Sequence, residues 1–155
     1  MLRNRAVISV GVAIFLGELC AGESSPNRLI FISNERSDNV SVIDGATDEL
    51  VATFAVGKRP RGTHAVPNGS RIFVTFSGSP RMAPGVDENR APADKAADGF
   101  GVIDPIARRL IDKWHVGSDP EQFAISRDDK LAFIANEDDA SAAIVDLALA
   151  RPGVK

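Results

Sequence analysis

Cysteine, tyrosine and histidine are scarce in this chain of 155 residues, and its 18 basic residues are outnumbered by 21 acidic ones. It has one cysteine, Cys20, no tyrosine, and two histidines, His64 and His115, that lie 51 residues apart. One cysteine cannot form an intramolecular disulfide, and so few histidine and cysteine ligands leave no transition-metal site in the sequence. The formal net charge of −3 excludes the basic excess that a nucleic-acid-binding surface requires.

Recognisable catalytic motifs are absent as well. No serine lies in a nucleophile elbow with a histidine and a carboxylate to complete it, and no glycine-rich phosphate loop precedes a helix. Helical periodicity is missing after the first residues. We therefore predict no catalytic residue, no metal and no cofactor, and the sequence favours a role other than catalysis.

The first 22 residues differ in composition from the rest of the chain. Arg3 and Arg5 precede an uncharged apolar stretch at 6–17, and small residues follow at 20–22. This order is typical of a secretory signal peptide, and the stretch is short for a membrane span. The interpretation is a signal peptide at 1–22 and a periplasmic protein without a membrane segment after cleavage; a buried N-terminal helix or a retained anchor is the alternative. Cleavage would also remove Cys20 and exclude thiol catalysis.

A repeat of about 42 residues dominates the remaining sequence. Ile30 and Ile72 are 42 residues apart, as are Asp104 and Asp146, whereas 60 residues separate Ile72 from its next counterpart. The 18 extra residues lie between Ser77 and Phe100, in a stretch rich in Pro, Gly, Ala and Asp, which predicts an irregular surface excursion. The repeats are placed near 29–66, 71–126 with the insert at 77–100, and 131–150.

Each repeat contains up to four short runs of β-branched and aromatic residues separated by turn residues. Four antiparallel strands at this period are the sequence mark of a β-propeller blade, because one four-stranded sheet buries its faces only against neighbouring blades. A β-sandwich or a solenoid does not predict this recurring spacing. The predicted fold is an all-β, incomplete β-propeller at 23–155, with about two and a half blades of four-stranded antiparallel sheet, too few to close a ring.

Several runs carry a family resemblance: Phe31-Ile32-Ser33-Asn34-Glu35, Asn39-Val40-Ser41-Val42-Ile43-Asp44, Val56-Gly57-Lys58-Arg59-Pro60-Arg61-Gly62, Gly117-Ser118-Asp119-Pro120-Glu121-Gln122-Phe123 and Ala135-Asn136-Glu137-Asp138-Asp139. In these runs the chain resembles the YVTN-type β-propeller repeat proteins, and among them the exported propellers associated with pyrroloquinoline-quinone-dependent alcohol catabolism. The resemblance implies a periplasmic accessory of a quinoprotein dehydrogenase or a cytochrome. The 18-residue insert and the turn at 127–130, which lacks a glycine, depart from the pattern.

Candidate binding residues follow from the alternating direction of a blade's strands. Arg59 and Arg61 enter one predicted inner strand, Asp119 and Glu121 enter the next, and His64 lies within the first. Loops of one rim converge in a propeller, so we expect the arginines to face the two carboxylates. Other groups placed on this rim are Asn34, Glu35, Arg36, Lys58, Asn136, Glu137, Asp138 and the insert.

The four charged residues admit two interpretations. They form either salt bridges between blades on a solvated rim, or a channel mouth that binds a small anionic ligand or a protein partner, for which the arginine fork is suited. The predicted function is a non-catalytic periplasmic propeller that binds such a partner. The alternatives are a lactonase-like hydrolase, by analogy of fold alone, and a truncated chain or a half propeller completed by another chain.

Overall fold

Short β-strands make up the regular structure of this chain. The computed structural model describes residues 12–14, 28–81 and 92–148. In these ranges no helix is present, and hence none that could cross a bilayer. The strands are β1 (Val12–Ile14), β2 (Leu29–Asn34), β3 (Asn39–Asp44), β4 (Leu50–Ala55), β5 (Pro60–Ala65), β6 (Ile72–Phe76), β7 (Gly99–Asp104), β8 (Arg109–Trp114), β9 (Pro120–Ile125), β10 (Leu131–Asn136) and β11 (Ser141–Asp146).

The strands form three antiparallel sheets that stack as blades. Blade 1 has the order β1-β2-β3-β4, blade 2 the order β5-β6-β7-β8, and blade 3 contains β9, β10 and β11. The first strands of neighbouring blades contact each other, β1 with β5 and β5 with β9, so they line the inner side of the stack. This architecture confirms the predicted all-β, partial β-propeller.

The sheets are offset by one strand from the repeats of the sequence. The run that closes the first repeat, β5, is the inner strand of blade 2, and β9 is likewise the inner strand of blade 3. The offset arises because a loop carries the chain from the outer strand of one blade to the inner strand of the next.

Strand β1 falls in the segment predicted to be a signal peptide. It pairs antiparallel with β2, with Val12 opposite Ile32, and so occupies the inner position of blade 1. The rest of 1–22 lies outside the described residues, and the signal peptide stays a prediction.

Two apolar cores lie between the blades. The first joins Phe31 and Val42 of blade 1 to Ile72 and Ile103 of blade 2. The second joins the other face of blade 2 to blade 3, and its buried members are Phe73, Phe100, Val102, Ala132, Ile134 and Leu147. Each fully buried Val, Ile or Phe contributes about 1.5–3 kcal/mol relative to an exposed one, so the stacking of blades is the main source of stability.

A hydroxyl group on the second strand of a blade ties that blade to the next inner strand. Ser33 Oγ donates a hydrogen bond to the carbonyl of Arg61 at 2.7 Å. At the equivalent place in blade 2, Thr75 Oγ1 donates to the carbonyl of Glu121 and accepts the backbone N–H of Gly62 at 2.9 Å. A Cβ at Gly62 would lie 2.9 Å from the carbonyl oxygen of Glu121, so a larger residue there would force β5 and β9 apart.

The insert leaves blade 2 between β6 and β7. Phe76 pairs with Gly99, so Gly99 and Phe100, predicted to end the insert, belong to β7. The described parts of the insert, 77–81 and 92–98, contain no strand. Its two ends are joined by a backbone hydrogen bond from Asp94 to Gly78 at 2.8 Å and by the carboxylate of Asp98, which accepts the Gly78 N–H at 2.6 Å.

The turn at 127–130, which lacks the expected glycine, keeps the conformation of its counterpart. Asp129 has a φ of 55°, close to the 76° of Gly69 at the equivalent position. Aspartate tolerates this left-handed region better than most residues, so the turn forms without a glycine.

Candidate functional site

The connections that enter β5 and β9 have the same local structure and lie at the same end of the stack. Arg59 and Asp119, each just before a proline, adopt left-handed φ values of 44° and 52°. The hairpin loops β2–β3 and β10–β11 and the insert contact these connections, as the hydrogen bonds below show. The prediction that these loops form one rim is confirmed.

Equivalent positions on this rim carry opposite charges in neighbouring blades. Arg61 and Glu121 each occupy the second position of an inner strand. Arg61 forms ion pairs with Asp119, at 3.0 Å, and with Glu121, and Glu137 lies 3.9 Å away. The side chains of Arg61 and Asp119 are only 19% and 8% exposed, so this pair is largely shielded from solvent screening.

Arg59 does not pair with Asp119 or Glu121 as expected. Its guanidinium donates two hydrogen bonds to Glu35 Oε1 of blade 1, at 2.8 and 3.1 Å, and another to the carbonyl of Ser79 in the insert. The connection that carries Arg59 lies at the junction of blades 1 and 2. The backbone N–H of Arg59 donates a hydrogen bond to the carboxylate of Asp38 at 2.9 Å. The side chain is therefore within reach of blade 1, and only Arg61 turns to blade 3.

Glu35 lies among three arginines. Burial raises the pKa of its carboxyl, but the hydrogen bonds and charge of Arg59, followed by the charges of Arg81 and Arg61, outweigh burial and lower the pKa below its ordinary value. Arg81, from the start of the insert, also donates a hydrogen bond to the Glu35 backbone carbonyl. Glu35 is therefore ionised at neutral pH and fastens the insert to blade 1.

A second set of contacts fastens the insert to blade 3. Lys95 Nζ donates hydrogen bonds to Asp138 and to Ser118 Oγ, and Ser79 Oγ donates to Asp138 at 2.9 Å. The hydrogen bond to Lys95 is the main reason that the pKa of Asp138 is lowered and that of Lys95 is raised. The insert thus spans the rim from blade 1 to blade 3.

These loops enclose a polar cleft of about 510 Å³. Four carboxylates and three cationic side chains line it, so its lining has a formal charge of −1. The lining residues are Arg59, Arg61, Ser79, Pro80, Ala93, Lys95, Asp119, Glu121, Glu137 and Asp138. Both arginines are mostly covered by their carboxylate partners, whereas Glu137 is 63% exposed and can contact another molecule.

The structure brings together four of the five residues singled out in the sequence. Arg59, Arg61, Asp119 and Glu121 line the cleft, but His64 does not; it is exposed on β5 with its ring 6.3 Å from that of Phe123.

Sequence reasoning did not single out the two insert residues of the cleft, Ser79 and Lys95. Only the placement of the whole insert at this rim pointed to them. Their partner Asp138 had been assigned to the rim, but its contact with them spans 59 and 43 residues of sequence.

The arrangement is suited to binding. In the ranges 28–81 and 92–148, no three His, Cys, Asp or Glu side chains are placed to hold a metal ion. Asp119, Glu121 and Glu137 surround the guanidinium of Arg61 instead. The cleft can therefore offer charge and hydrogen bonds to a bound molecule through carboxylates at its exposed margin.

Comparisons with known proteins identify the fold and no closer relationship. No protein-family model and no curated protein sequence matches the chain. Among solved structures, hydrazine synthase of Kuenenia stuttgartiensis is similar over 95% of this chain and 35% of its own, with a TM-score of 0.61 and 19% identity.

Two solved propellers are similar at the same level. A candidate 6-phosphogluconolactonase of Bacteroides fragilis has a TM-score of 0.54 and 20% identity over 76% of this chain and 31% of its own. One of Bacteroides uniformis has a TM-score of 0.53 and 16% identity over 76% and 32%. The chain therefore spans about a third of the length of these structures, and the similarity shows the β-propeller fold alone.

Proposed function

We propose that this chain is a non-catalytic, periplasmic propeller module whose rim cleft binds a protein partner through a basic segment of that partner. The observation that carries the proposal is the charge distribution of the cleft. Its arginines are neutralised within the rim and Asp138 is paired with Lys95, while the side chain of Glu137 is 63% exposed. A partner's lysine or arginine side chains would complement this margin.

The charges of the cleft also argue against the small anionic ligand that the sequence allowed as an alternative. An anion bound by the arginines would have to displace Glu35 from Arg59, or Asp119 and Glu121 from Arg61. Since those pairs are largely shielded, the exchange is unfavourable, and a basic protein segment fits the cleft better.

The proposed role in alcohol oxidation and the proposed periplasmic location rest on the resemblance to propellers of quinoprotein-dependent alcohol oxidation. On this proposal the partner is a quinoprotein dehydrogenase or a c-type cytochrome, and the chain is exported by its first 22 residues. Cleavage after Gly22 would remove β1 and leave β2 as the inner strand of blade 1. The intact mass of protein taken from the periplasm should then correspond to a chain that begins at Glu23.

Capture of partners from a periplasmic extract tests the binding proposal. The wild-type protein should retain a quinoprotein dehydrogenase or a cytochrome at low salt and release it as salt is raised. Glu137→Gln should weaken retention several-fold, whereas Asp128→Asn, which changes an exposed carboxylate in a turn at the opposite end of the strands, should not. Equal retention by all three proteins, or no partner of this class, would refute the proposal.

A lactonase is the second candidate, since two of the similar propellers are candidate 6-phosphogluconolactonases. Propeller clefts at this position can hold catalytic groups, although such an analogy is one of fold. Purified protein would be assayed on a panel of lactones with and without divalent cations. Turnover above background, abolished by Glu121→Gln, would replace the binding proposal with an enzymatic one.

A further inference from the structure

The outer face of blade 3 carries large apolar side chains that no part of the described structure covers. Phe133 on β10 and Ile144 on β11 lie directly opposite each other in the sheet and are 43% and 65% exposed. Their neighbours Ala124, Ala135 and Ala142 are exposed as well.

The same pair of positions is fully buried in the other two blades. Phe31 lies opposite Val42 in blade 1, and both side chains have 0% exposure because blade 2 packs on them. In blade 2 the pair is Phe73 and Val102, which blade 3 covers to 1% and 0% exposure. By equivalence, Phe133 and Ile144 form a surface on which another blade can pack.

The complementary surface occurs on blade 1. Blade 2 packs on its predecessor through Ile72, Val74 and Ile103, all with 0% exposure. The equivalent residues of blade 1 are Ile30, Ile32 and Ile43, which are only partly buried. The described stack of blades thus presents a face that receives a blade on one side and a face that docks onto one on the other.

We propose that two copies of this chain associate head to tail, with blade 1 of each copy docked on the Phe133–Ile144 face of the other. Three sheets in each chain give six blades for the pair, which lies within the range of about four to eight for closed propellers. A two-fold arrangement uses both faces of both copies and covers each of them.

One feature sets this contact apart from the two within the chain. Ala135 replaces the hydroxyl residue that Ser33 and Thr75 supply at the earlier junctions. The contact therefore depends on apolar burial without this hydrogen bond, and we expect it to be weaker and concentration-dependent.

Sedimentation equilibrium of the purified protein over a hundredfold range of concentration tests the proposal. The mass should rise from one chain to two and no further. Phe133→Lys and Ile32→Lys should each lower the association constant at least tenfold, whereas Ile106→Lys, at a turn residue that is 92% exposed and lies on neither face, should leave it unchanged. Far-UV circular dichroism checks that the variants are folded. If one is not, Ile144→Ser replaces Phe133→Lys, and Ile30→Ser replaces Ile32→Lys.

Mixing the two variants distinguishes this geometry from contact between like faces. A head-to-tail pair requires one intact face of each kind, so Phe133→Lys and Ile32→Lys proteins should associate with each other although neither associates with itself. A single-chain mass at every concentration, as expected if the blades of a different or longer chain cover this face, would overturn the proposal. So would self-association that survives Phe133→Lys.

Discussion

Arg61 is the side chain around which the charges of the rim are arranged. It contacts Asp119 and Glu121 of blade 3, and it lies only two residues from Arg59, which binds blade 1. An exposed ion pair contributes well under about 1 kcal/mol, but removing one partner of a shielded pair leaves a charge without compensation and costs more. The two arginines therefore matter mainly because they fix the neighbouring blades and loops in register.

We predict that acid weakens the fold through Glu35. The arginines outweigh burial and hold its pKa below the ordinary value of 4.5, so the folded protein binds this proton less readily than the unfolded chain. The resulting stability is present above about pH 4.5, the ordinary value, and is lost as the pH falls through the lower folded value.

Denaturant unfolding of wild type and Glu35→Gln between pH 6 and pH 3 measures this effect. The variant should be less stable at pH 6 and should lose less stability on acidification. Glu49→Gln, an exposed carboxylate in the β3–β4 turn, serves as the control and should follow the wild type. Parallel pH curves for wild type and Glu35→Gln would contradict the prediction.

At the scale of elements, Thr75 links three strands from two blades. It lies on β6, accepts a hydrogen bond from Gly62 of β5 and donates one to Glu121 of β9. Because Gly62 and Thr75 are buried, water cannot replace these bonds when the hydroxyl is removed. Glu121 also lines the cleft, so the same contact helps to position the binding site.

We predict that Thr75→Val lowers the free energy of unfolding by about 1–3 kcal/mol, because the shape is kept while a buried N–H and a carbonyl lose their partner. Thr75→Ser keeps the hydroxyl and should lose less, the cost of one methyl group being about 0.8 kcal/mol. Chemical denaturation measures both. A serine variant as unstable as the valine variant would show that packing, and not the hydrogen bonds, is responsible.

At the scale of the molecule, blade 2 lies between the two apolar cores. Its strands β6 and β7 are buried at nearly every residue, whereas β4 and β11 contain only exposed and partly buried residues. A stack of this kind gains stability chiefly from contacts between nearest neighbours, so the central blade is held from both sides and the end blades from one.

We predict that amide hydrogen exchange follows this order. Amides of β6 and β7 should exchange most slowly, and those of β4 and β11 at least tenfold faster, because the end strands open without disturbing the central blade. The measurement is made on Phe133→Lys, so that association of copies does not protect blade 3. Uniform protection across the three blades would indicate a single cooperative unit and contradict the prediction.

The sequence by itself determined the strands, their period and the rim to which each loop belongs. The alternation of apolar residues and the turn residues act within a few positions, so the strand-forming runs of each repeat could be recognised, and Arg61 with Asp119 and Glu121 was predicted. The sequence also located the insert, apart from the two residues that belong to β7.

Only the tertiary structure decided which side chains meet across the rim. Arg59 binds Glu35 and the insert, Lys95 and Ser79 bind Asp138, and His64 lies apart, because these contacts depend on how the blades stack and where the insert is fastened. The same holds for Phe133, whose sequence context matches that of Phe31 and Phe73 while its exposure differs. An apolar side chain is buried only where another surface packs against it. The repeat sequence specifies the apolar face of each blade but not whether a neighbouring blade covers that face.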